Sequence, residues 1–429
     1  MLVNKTCFQR GLALSLFGLL SVSTQASDIV PAPKQAQAIV FQNATLHTVT
    51  NGVIDKGQLR IEHGKITAIG NQINIDNAKV IDLQGKHVYP GLIALDTSLG
   101  LVEIGAVRES VDKYEIGTVN PQLNTKTAYN ADSEIIPTVR FNGITYAQVV
   151  PSGSGIAGQS VLVNMDAWNI NDALYPSELQ MHLYWPKIRW KSSDPKRYKK
   201  QLQQLRNQIA TIDSAFEDGY RYYLADKAGQ TPTGKRALAS MIPLYQAKGQ
   251  LFVHCETQAD IEQAIALARQ YKFKLVIVGG YDAWRVASEL NEINAKVIYT
   301  HTFGLPMRAD EPVDQAFKIP KLLKESGVQF ALGYTDDANS RNLAFSAGQA
   351  AAYGLSKQQA LQSITLDAAR ILNITDLGAL QTGYKASLII SKGDILDPMT
   401  SKIEQVYIEG RKVDLNNRQN QLYQKYLKR

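Results

Sequence analysis

The sequence predicts an α/β protein: a (β/α)8 TIM barrel joined to a small composite β-sandwich built from N- and C-terminal segments. Three features support this fold. Single apolar strands alternate with amphipathic helices in the middle of the chain, short β segments precede them, and β patterns return near the C-terminus. About eight strand–helix units fit between residues 91 and 375, the usual length of such a barrel. A doubly wound parallel sheet is the alternative.

The first 26 residues have the pattern of a cleaved secretory signal. Lys5 and Arg10 precede an apolar run, Gly11–Val22, that is too short to span a bilayer as a helix. Small residues precede a predicted cleavage site after Ala26, and an uncleaved anchor is the alternative. We therefore expect an exported protein, most simply in a bacterial periplasm.

The composition is that of an ordinary globular protein, because 45% of the 429 residues are hydrophobic and 20% are charged. The net charge of +7 is too small to indicate nucleic-acid binding. The basic stretch Lys187–Arg206 could contact an anionic surface, but a solvated helix face is the preferred interpretation. Cleavage of the signal removes Cys7 and leaves Cys255 alone, so no intrachain disulfide is expected.

Two segments of short strands, residues 27–90 and 376–412, are predicted to form the sandwich, and residues 413–429 form a polar, basic tail. Turn dipeptides such as Asn51-Gly52 separate the strands of the first segment. The predicted strands of the two segments are Ala38–Phe41, Gln58–Ile61, Ile66–Ile69, Val80–Leu83, Ser387–Ser391 and Ile403–Ile408.

The barrel is predicted to span residues 91–375. Its predicted strands are Leu92–Leu95, Ile144–Val150, His182–Trp185, Leu251–His254, Leu275–Val278, Val297–Thr300 and Val328–Leu332. Its predicted helices are Lys196–Ala225, Gly234–Lys248, Ile261–Tyr271, Ala283–Asn291 and Gln315–Ser326. The polar segment Leu101–Asn130 has no clear pattern, and covering the barrel mouth is one role for it.

Catalytic groups of such a barrel lie at the carboxyl ends of its strands. The ionisable side chains predicted there are Asp96, His254, Glu256, His301 and Asp336. Carboxylates and imidazoles that converge can bind a metal ion or transfer protons. A single histidine is more often structural, but His254 and Asp336 together at two strand ends favour a functional site.

Two further patterns carry weaker signals. Gly153–Gly158 matches G-x-G-x-x-G, but the extended stretch Gln159–Val163 follows it where a dinucleotide site needs a helix. A tight loop at the barrel mouth is therefore preferred. Ser98 and Ser154 do not lie in a G-x-S-x-G nucleophile turn, so nucleophilic serine catalysis is disfavoured.

Several short motifs occur in a fixed order along the chain: Lys86–Ile93, Val253-His254 with Ala259–Ile261, Leu275–Ile277 with Ala283–Ala287, Phe330–Asp336, Gly354–Ser356 with Ala360-Leu361 and Ile364-Thr365, and Gly383–Leu388. In sequence and order they resemble the imidazolonepropionase-like branch of the amidohydrolase superfamily. The resemblance extends from about Ala38 to Gly410, and it implies a metal-bearing barrel with a composite β-sandwich.

The resemblance also implies a metal site with altered ligands. The family has His-x-His after the first strand, where this chain has Asp96 and Ser98, and a histidine after the sixth strand, where it has Gly279. His254 and Asp336 keep the residues of the family. We therefore predict a metal site of Asp96, His254 and Asp336, with His301 or Glu256 as further candidate ligands. One divalent ion is expected to bind weakly or not at all, and an oxygen-rich ligand set suits a harder ion than zinc.

The resemblance implies an exported hydrolase of non-peptide C–N bonds, in amides or cyclic amides, with a degenerate metal site. Asp336 is the predicted general base, and His254 polarises the substrate or holds the remaining ion. The alternative is an inactive barrel that binds a small molecule or a protein partner. No nucleic-acid or membrane partner is expected, and a homo-oligomer or pairing with a related amidohydrolase is a possible assembly.

Overall fold

The computed structural model describes residues 29–188 and 191–429, so the predicted signal lies outside the described residues. Pro31–Arg429 form one compact unit. Its strands are β1 (Ala38–His47), β2 (Val53–Glu62), β3 (Lys65–Gly70), β4 (Ala78–Asp82), β5 (His87–Pro90), β6 (Leu92–Thr97), β7 (Ile144–Val149), β8 (Gly155–Asn164), β9 (Leu174–Tyr184), β10 (Gly249–Cys255), β11 (Lys274–Gly279), β12 (Lys296–Tyr299), β13 (Gln329–Leu332), β14 (Leu388–Ser391), β15 (Ile403–Ile408) and β16 (Arg411–Lys412).

Helices lie mainly in the connections between the strands of the barrel. They are α1 (Ile135–Phe141), α2 (Ile170–Ala173), α3 (Pro195–Lys227), α4 (Arg236–Ala239), α5 (Ile242–Tyr245), α6 (Gln258–Tyr271), α7 (Ala287–Glu292), α8 (Gln315–Glu325), α9 (Leu343–Ala352), α10 (Lys357–Ser363), α11 (Leu366–Ile371) and α12 (Arg418–Tyr426). Among the described helices, none is both long and apolar enough to cross a membrane.

The two ends of the chain form one sheet, as predicted. Its strand order is β16-β15-β14-β5-β1-β2-β3, with β4 paired to β1. The two segments meet where β5 pairs antiparallel with β14, with Tyr89 opposite Ile389. Residues from both ends, including Phe41, Leu59 and Tyr407, form its buried core. The exact boundaries predicted for this unit stay predictions.

The middle of the chain forms a nearly closed barrel of eight strands in the order β6 to β13, which confirms the predicted TIM-barrel fold. Alternate side chains of the strands point inward and form an apolar core that includes Ile93, Phe252 and Ile298. The backbone N–H of Tyr334, after β13, donates to the carbonyl of Leu95 in β6 at 3.1 Å. The carboxyl ends of the parallel strands therefore meet at one end of the barrel.

The third barrel strand differs from the expected parallel pattern. β8 pairs antiparallel with both β7 and β9. The loop after β7 reverses the chain with no helix between β7 and β8, and only the short helix α2 separates β8 from β9. The prediction of an extended stretch at Gln159–Val163 is confirmed. Gly155 and Gly158 have φ values of +63° and +128°, and a side chain at either would collide with the backbone of the segment at Thr118 or Leu123.

Two helical regions also differ from the sequence prediction. The single helix predicted over Gly234–Lys248 is wrong: the region contains α4 and α5. Pro243 lies in the first turn of α5, where its missing N–H costs no hydrogen bond. The tail was predicted only as polar and basic, and it contains α12, whose N-cap Asn417 accepts a hydrogen bond from the N–H of Asn420.

Candidate active site

An open cavity of about 560 Å³ lies at the carboxyl ends of the barrel strands. The structure places four of the five predicted site residues in its wall: Asp96, His254, Glu256 and His301. Asp336, the fifth, instead lines a depression of about 220 Å³ that shares Asp96 with the larger cavity. The segment Leu101–Asn130 contributes Thr118 to the cavity wall and leaves the cavity open.

Asp96, the residue before the last in β6, has a backbone conformation that residues other than glycine rarely adopt, with a φ of +59°. The Gln148 side chain accepts a hydrogen bond from the Asp96 N–H at 3.2 Å, and the Thr335 hydroxyl donates to its carboxylate at 2.5 Å. Burial raises the pKa of Asp96 to about 7; the Thr335 hydrogen bond opposes this shift, and the charge of Glu256 adds to it. The protonated form of Asp96 therefore remains available near neutral pH.

His254 lies beside Asp96, with 3.9 Å between its Nδ1 and the Asp96 Oδ1. Its Nε2 lies 2.9 Å from Nδ1 of His182, and its ring stacks on Tyr184 with centroids 3.9 Å apart. Burial, followed by the positive charge of Lys187, lowers the pKa of His254 to about 3. His254 is therefore neutral near pH 7, and its ring is held by neighbours on both sides.

His182 is a site residue that the sequence analysis missed. It is fully buried in β9, and its Nε2 lies 2.7 Å from the Ser160 hydroxyl, whose oxygen is 2.8 Å from Oε1 of the Gln180 side chain. This chain of hydrogen bonds reaches the back of His254. The sequence offered one signal for His182. It lies two residues before Tyr184, the end of β9, and alternate residues of a strand face the same side, so it shares a face with the strand end.

Glu256 occupies the space above Gly279, the last residue of β11. Gly279 has a φ of +93°, and a Cβ at this position would collide with the Glu256 carboxylate. The carboxylate lies 2.9 Å from Nε2 of His301, but this contact lacks the alignment of a hydrogen bond. The Thr257 side chain caps the N-terminus of α6 and fixes the chain directly after Glu256.

Asp336 faces away from the larger cavity. Its carboxylate accepts hydrogen bonds from the backbone N–H and side-chain amide of Asn339, at 3.0 and 3.2 Å. Burial alone would raise the pKa of Asp336, but the hydrogen bonds from Asn339 and Asp337 together outweigh it and hold the pKa below its ordinary value. Asp336 is thus tied to the helical turn Ala338–Asn342, whose N-cap is the neighbouring Asp337.

The donors at this site do not fit a tightly held zinc ion. Among the residues that the structure describes, no three His, Cys, Asp or Glu side chains are placed to hold one ion. Thr335 occupies one oxygen of Asp96, and His182 occupies Nε2 of His254. Ser98 and Gly279 supply no nitrogen. In place of a zinc centre, the cavity wall offers two carboxylates, Asp96 and Glu256, and two basic side chains, His301 and Lys187.

A polar cavity at the carboxyl ends of barrel strands is the usual place for catalysis in TIM-barrel enzymes. The comparison with protein families agrees with this architecture. The Amidohydrolase family profile matches residues 179–413, which is more than half of the chain. The protein belongs to the amidohydrolase family.

Individual relatives match only short stretches of this chain. A dihydroorotase from Geobacillus sp. (strain WCH70) is 41% identical over 63 residues, 14% of each chain. A D-hydantoinase from Geobacillus stearothermophilus is 36% identical over 80 residues, 19% of this chain and 16% of the relative. The matches therefore span a small fraction of either relative.

Solved structures match over most of the chain. An amidohydrolase from Thermotoga maritima MSB8 has a TM-score of 0.76 and 25% identity, covering 88% of this chain and 99% of the other. The A. niger ochratoxinase has a TM-score of 0.54 and 13% identity, covering 88% of this chain and 95% of the other. The second likeness concerns the fold alone.

Proposed function

We propose that the protein hydrolyses the C–N bond of a small amide or cyclic amide in the barrel cavity, as a member of the imidazolonepropionase-like branch with a degenerate metal site. The observation that carries the proposal is the pair of carboxylates in one cavity, Asp96 and Glu256. The pKa of Asp96 near 7 makes it a proton donor at neutral pH, while Glu256 faces the same space.

In the proposed reaction Glu256 replaces Asp336 as the general base, since Asp336 does not line the larger cavity. Glu256 takes a proton from a water molecule, and the water oxygen forms a bond to the amide carbon. Neutral His254 polarises the carbonyl through Nδ1–H, which requires that the Nδ1–H of His182 donate to its Nε2 and that the Ser160 hydroxyl donate to Nε2 of His182. Protonated Asp96 gives its proton to the nitrogen, the C–N bond breaks, and an acid and an amine leave.

The test is a turnover assay with purified protein on a panel of N-acyl amino acids, lactams and hydantoins. We expect hydrolysis of at least one member, and Glu256→Gln should lower kcat by about a hundredfold because a general base is lost. The matched control is Glu262→Gln, an exposed carboxylate on α6 that accepts a hydrogen bond from the side chain of Gln258. Unchanged turnover in Glu256→Gln would overturn the assignment of the base.

A second function, binding without catalysis, is favoured by the lack of three metal-binding side chains grouped together among the described residues. Saturable binding of panel members with no hydrolysis of any of them would support this function and contradict the first.

We also propose that the chain is exported and cleaved after Ala26, a proposal that rests on the sequence pattern of residues 1–26. A mature N-terminus at Ser27, measured by mass spectrometry of the periplasmic fraction, would support it, and an intact leader would contradict it.

Assembly as a homo-oligomer or with a related amidohydrolase is a further proposal, to be tested by light scattering and co-purification.

A further inference from the structure

Lys187 is a cation at the mouth of the cavity, and no carboxylate of the described residues forms a salt bridge with it. It is exposed, it lies three residues after the end of β9, and it lines the same cavity as Asp96, His254 and Glu256. Among the described residues, no hydrogen bond or salt bridge occupies its ammonium group. Burial raises the pKa of Asp260, and the Thr257 hydrogen bond and the charge of Lys187 oppose this rise. The group is therefore free to bind a ligand.

The chain before Lys187 is fixed. The N–H of Trp185 donates to the carbonyl of His254 at 3.1 Å, and the Trp185 side chain is buried. The hydroxyl of Tyr184 donates to the carbonyl of Pro151 at 3.0 Å. Pro186 then restricts the backbone immediately before the lysine. The base of the lysine side chain is thus held beside the end of β10, while its four-carbon stem can adjust.

The charges of the cavity are arranged by depth. The side chains of Asp96 and Glu256 are only 3% and 16% exposed, whereas Lys187 is exposed at the mouth. Neutral His254 adds no charge near pH 7, and Glu256 already lies against His301. Of the described residues in the cavity wall, Lys187 therefore carries the one permanent positive charge. A ligand that complements this arrangement has an anionic end at the mouth and a neutral polar group inside.

We infer that the cavity binds amides that carry a carboxylate, with Lys187 pairing with the carboxylate while the amide group lies against Asp96 and Glu256. Lactam carboxylic acids and N-acyl amino acids have this form. The position of the amide group rests on the proposed function, whereas the position of the carboxylate rests on Lys187 alone. Lys187 is then a specificity residue that selects acids over neutral amides.

Equilibrium binding tests the inference independently of turnover. The probes are two matched pairs: 5-oxoproline with its carboxamide, and N-acetylphenylalanine with its carboxamide. Native protein should bind each acid about tenfold more tightly than its amide, because a charge-assisted contact is lost in the amide. Lys187→Met should remove the preference, and Lys187→Arg should keep most of it. Lys199→Met, an exposed lysine on α3, is the matched control and should bind like native protein.

Each result of the binding experiment bears on the inference. Equal affinity of native protein for acid and amide, or no saturable binding of either acid, overturns it. A preference that survives in Lys187→Met also overturns it. An acid preference that depends on Lys187, without hydrolysis of any probe, supports the inference while the proposed hydrolysis fails. The preference should weaken as salt rises from 0.05 to 0.5 M, roughly a threefold fall in Debye length.

Discussion

At the scale of single residues, Gly279 determines where Glu256 lies. The missing side chain leaves the space that the Glu256 carboxylate fills, so the acid projects into the cavity beside His301. The resemblance drawn from sequence motifs implies a histidine at this position in the family. In the structure the glycine leaves room for the carboxylate of Glu256.

Gly279→Ala should therefore impair function more than stability. The alanine is strained at a φ of +93° and collides with Glu256, so we expect a loss of about 1–2 kcal/mol in the free energy of unfolding and a fall in kcat. Gly52→Ala is the control, because Gly52 has a φ of +76° and open space around it. Comparable losses of stability with equal kcat in the two variants would contradict the role given to Gly279.

The pH dependence of hydrolysis tests Asp96. Its pKa is raised, so the protonated acid form that donates to the leaving nitrogen dominates below about pH 7 and is lost above it. We expect kcat to fall as the pH rises through 7. Asp96→Asn should lower kcat by about a hundredfold and abolish this decline, because an amide cannot donate a proton in the same way.

The same kcat assay decides whether Glu256 or Asp336 is the general base. If Asp336→Asn lowers kcat strongly while Glu256→Gln does not, then the sequence-based prediction of Asp336 as general base is right and the present assignment of Glu256 is wrong. That prediction rested on a motif, which places a residue at a strand end but does not determine which way its carboxylate turns. Asn339 determines the orientation here, through two hydrogen bonds.

At the scale of elements, a buried ion pair joins the barrel to the composite sheet. Arg140 of α1 donates to Asp166 after β8 at 2.9 Å, and Arg411 of β16 also reaches Asp166. Both Arg140 and Asp166 are almost fully buried. Asp166 additionally accepts the backbone N–H of Ala32. The pair therefore links segments that are far apart along the chain.

Asp166→Asn should destabilise the protein by about 3–5 kcal/mol, because it leaves the buried guanidinium of Arg140 without its counter-charge. Chemical denaturation would measure this loss. Glu217→Gln breaks an exposed pair with Arg221 on α3 and should change the free energy of unfolding by less than about 0.5 kcal/mol. A similar small change in Asp166→Asn would show that the buried pair does not stabilise the fold.

Element patterns in the sequence predicted most of the barrel strands because each is a short apolar run buried on both faces. The direction of β8 was not predictable in this way. Apolar periodicity indicates a strand but carries no information about which way the chain runs. The contacts of Gly155 and Gly158 with the segment near Thr118 and Leu123 could not be foreseen either, because they are distant in sequence.

At the scale of the whole molecule, the sequence predicted the barrel, the composite sheet and the strand end at which ionisable side chains gather. The sequence did not predict which of these ionisable side chains share one cavity. Four of the five predicted residues share one cavity, while Asp336 lies next to it and His182 supports it from behind. Side-chain direction at strand ends depends on loops and hydrogen bonds that apolar patterns do not encode.

The central claim is that hydrolysis at this cavity proceeds through Asp96 and Glu256 without tightly bound zinc. The most direct test measures the metal content and amide hydrolysis of the same purified protein after dialysis against a chelator. We predict far less than one zinc per chain, with turnover retained, because the site lacks the nitrogen donors of a zinc centre. Near-stoichiometric zinc, with turnover lost on its removal and restored by its return, would contradict the claim.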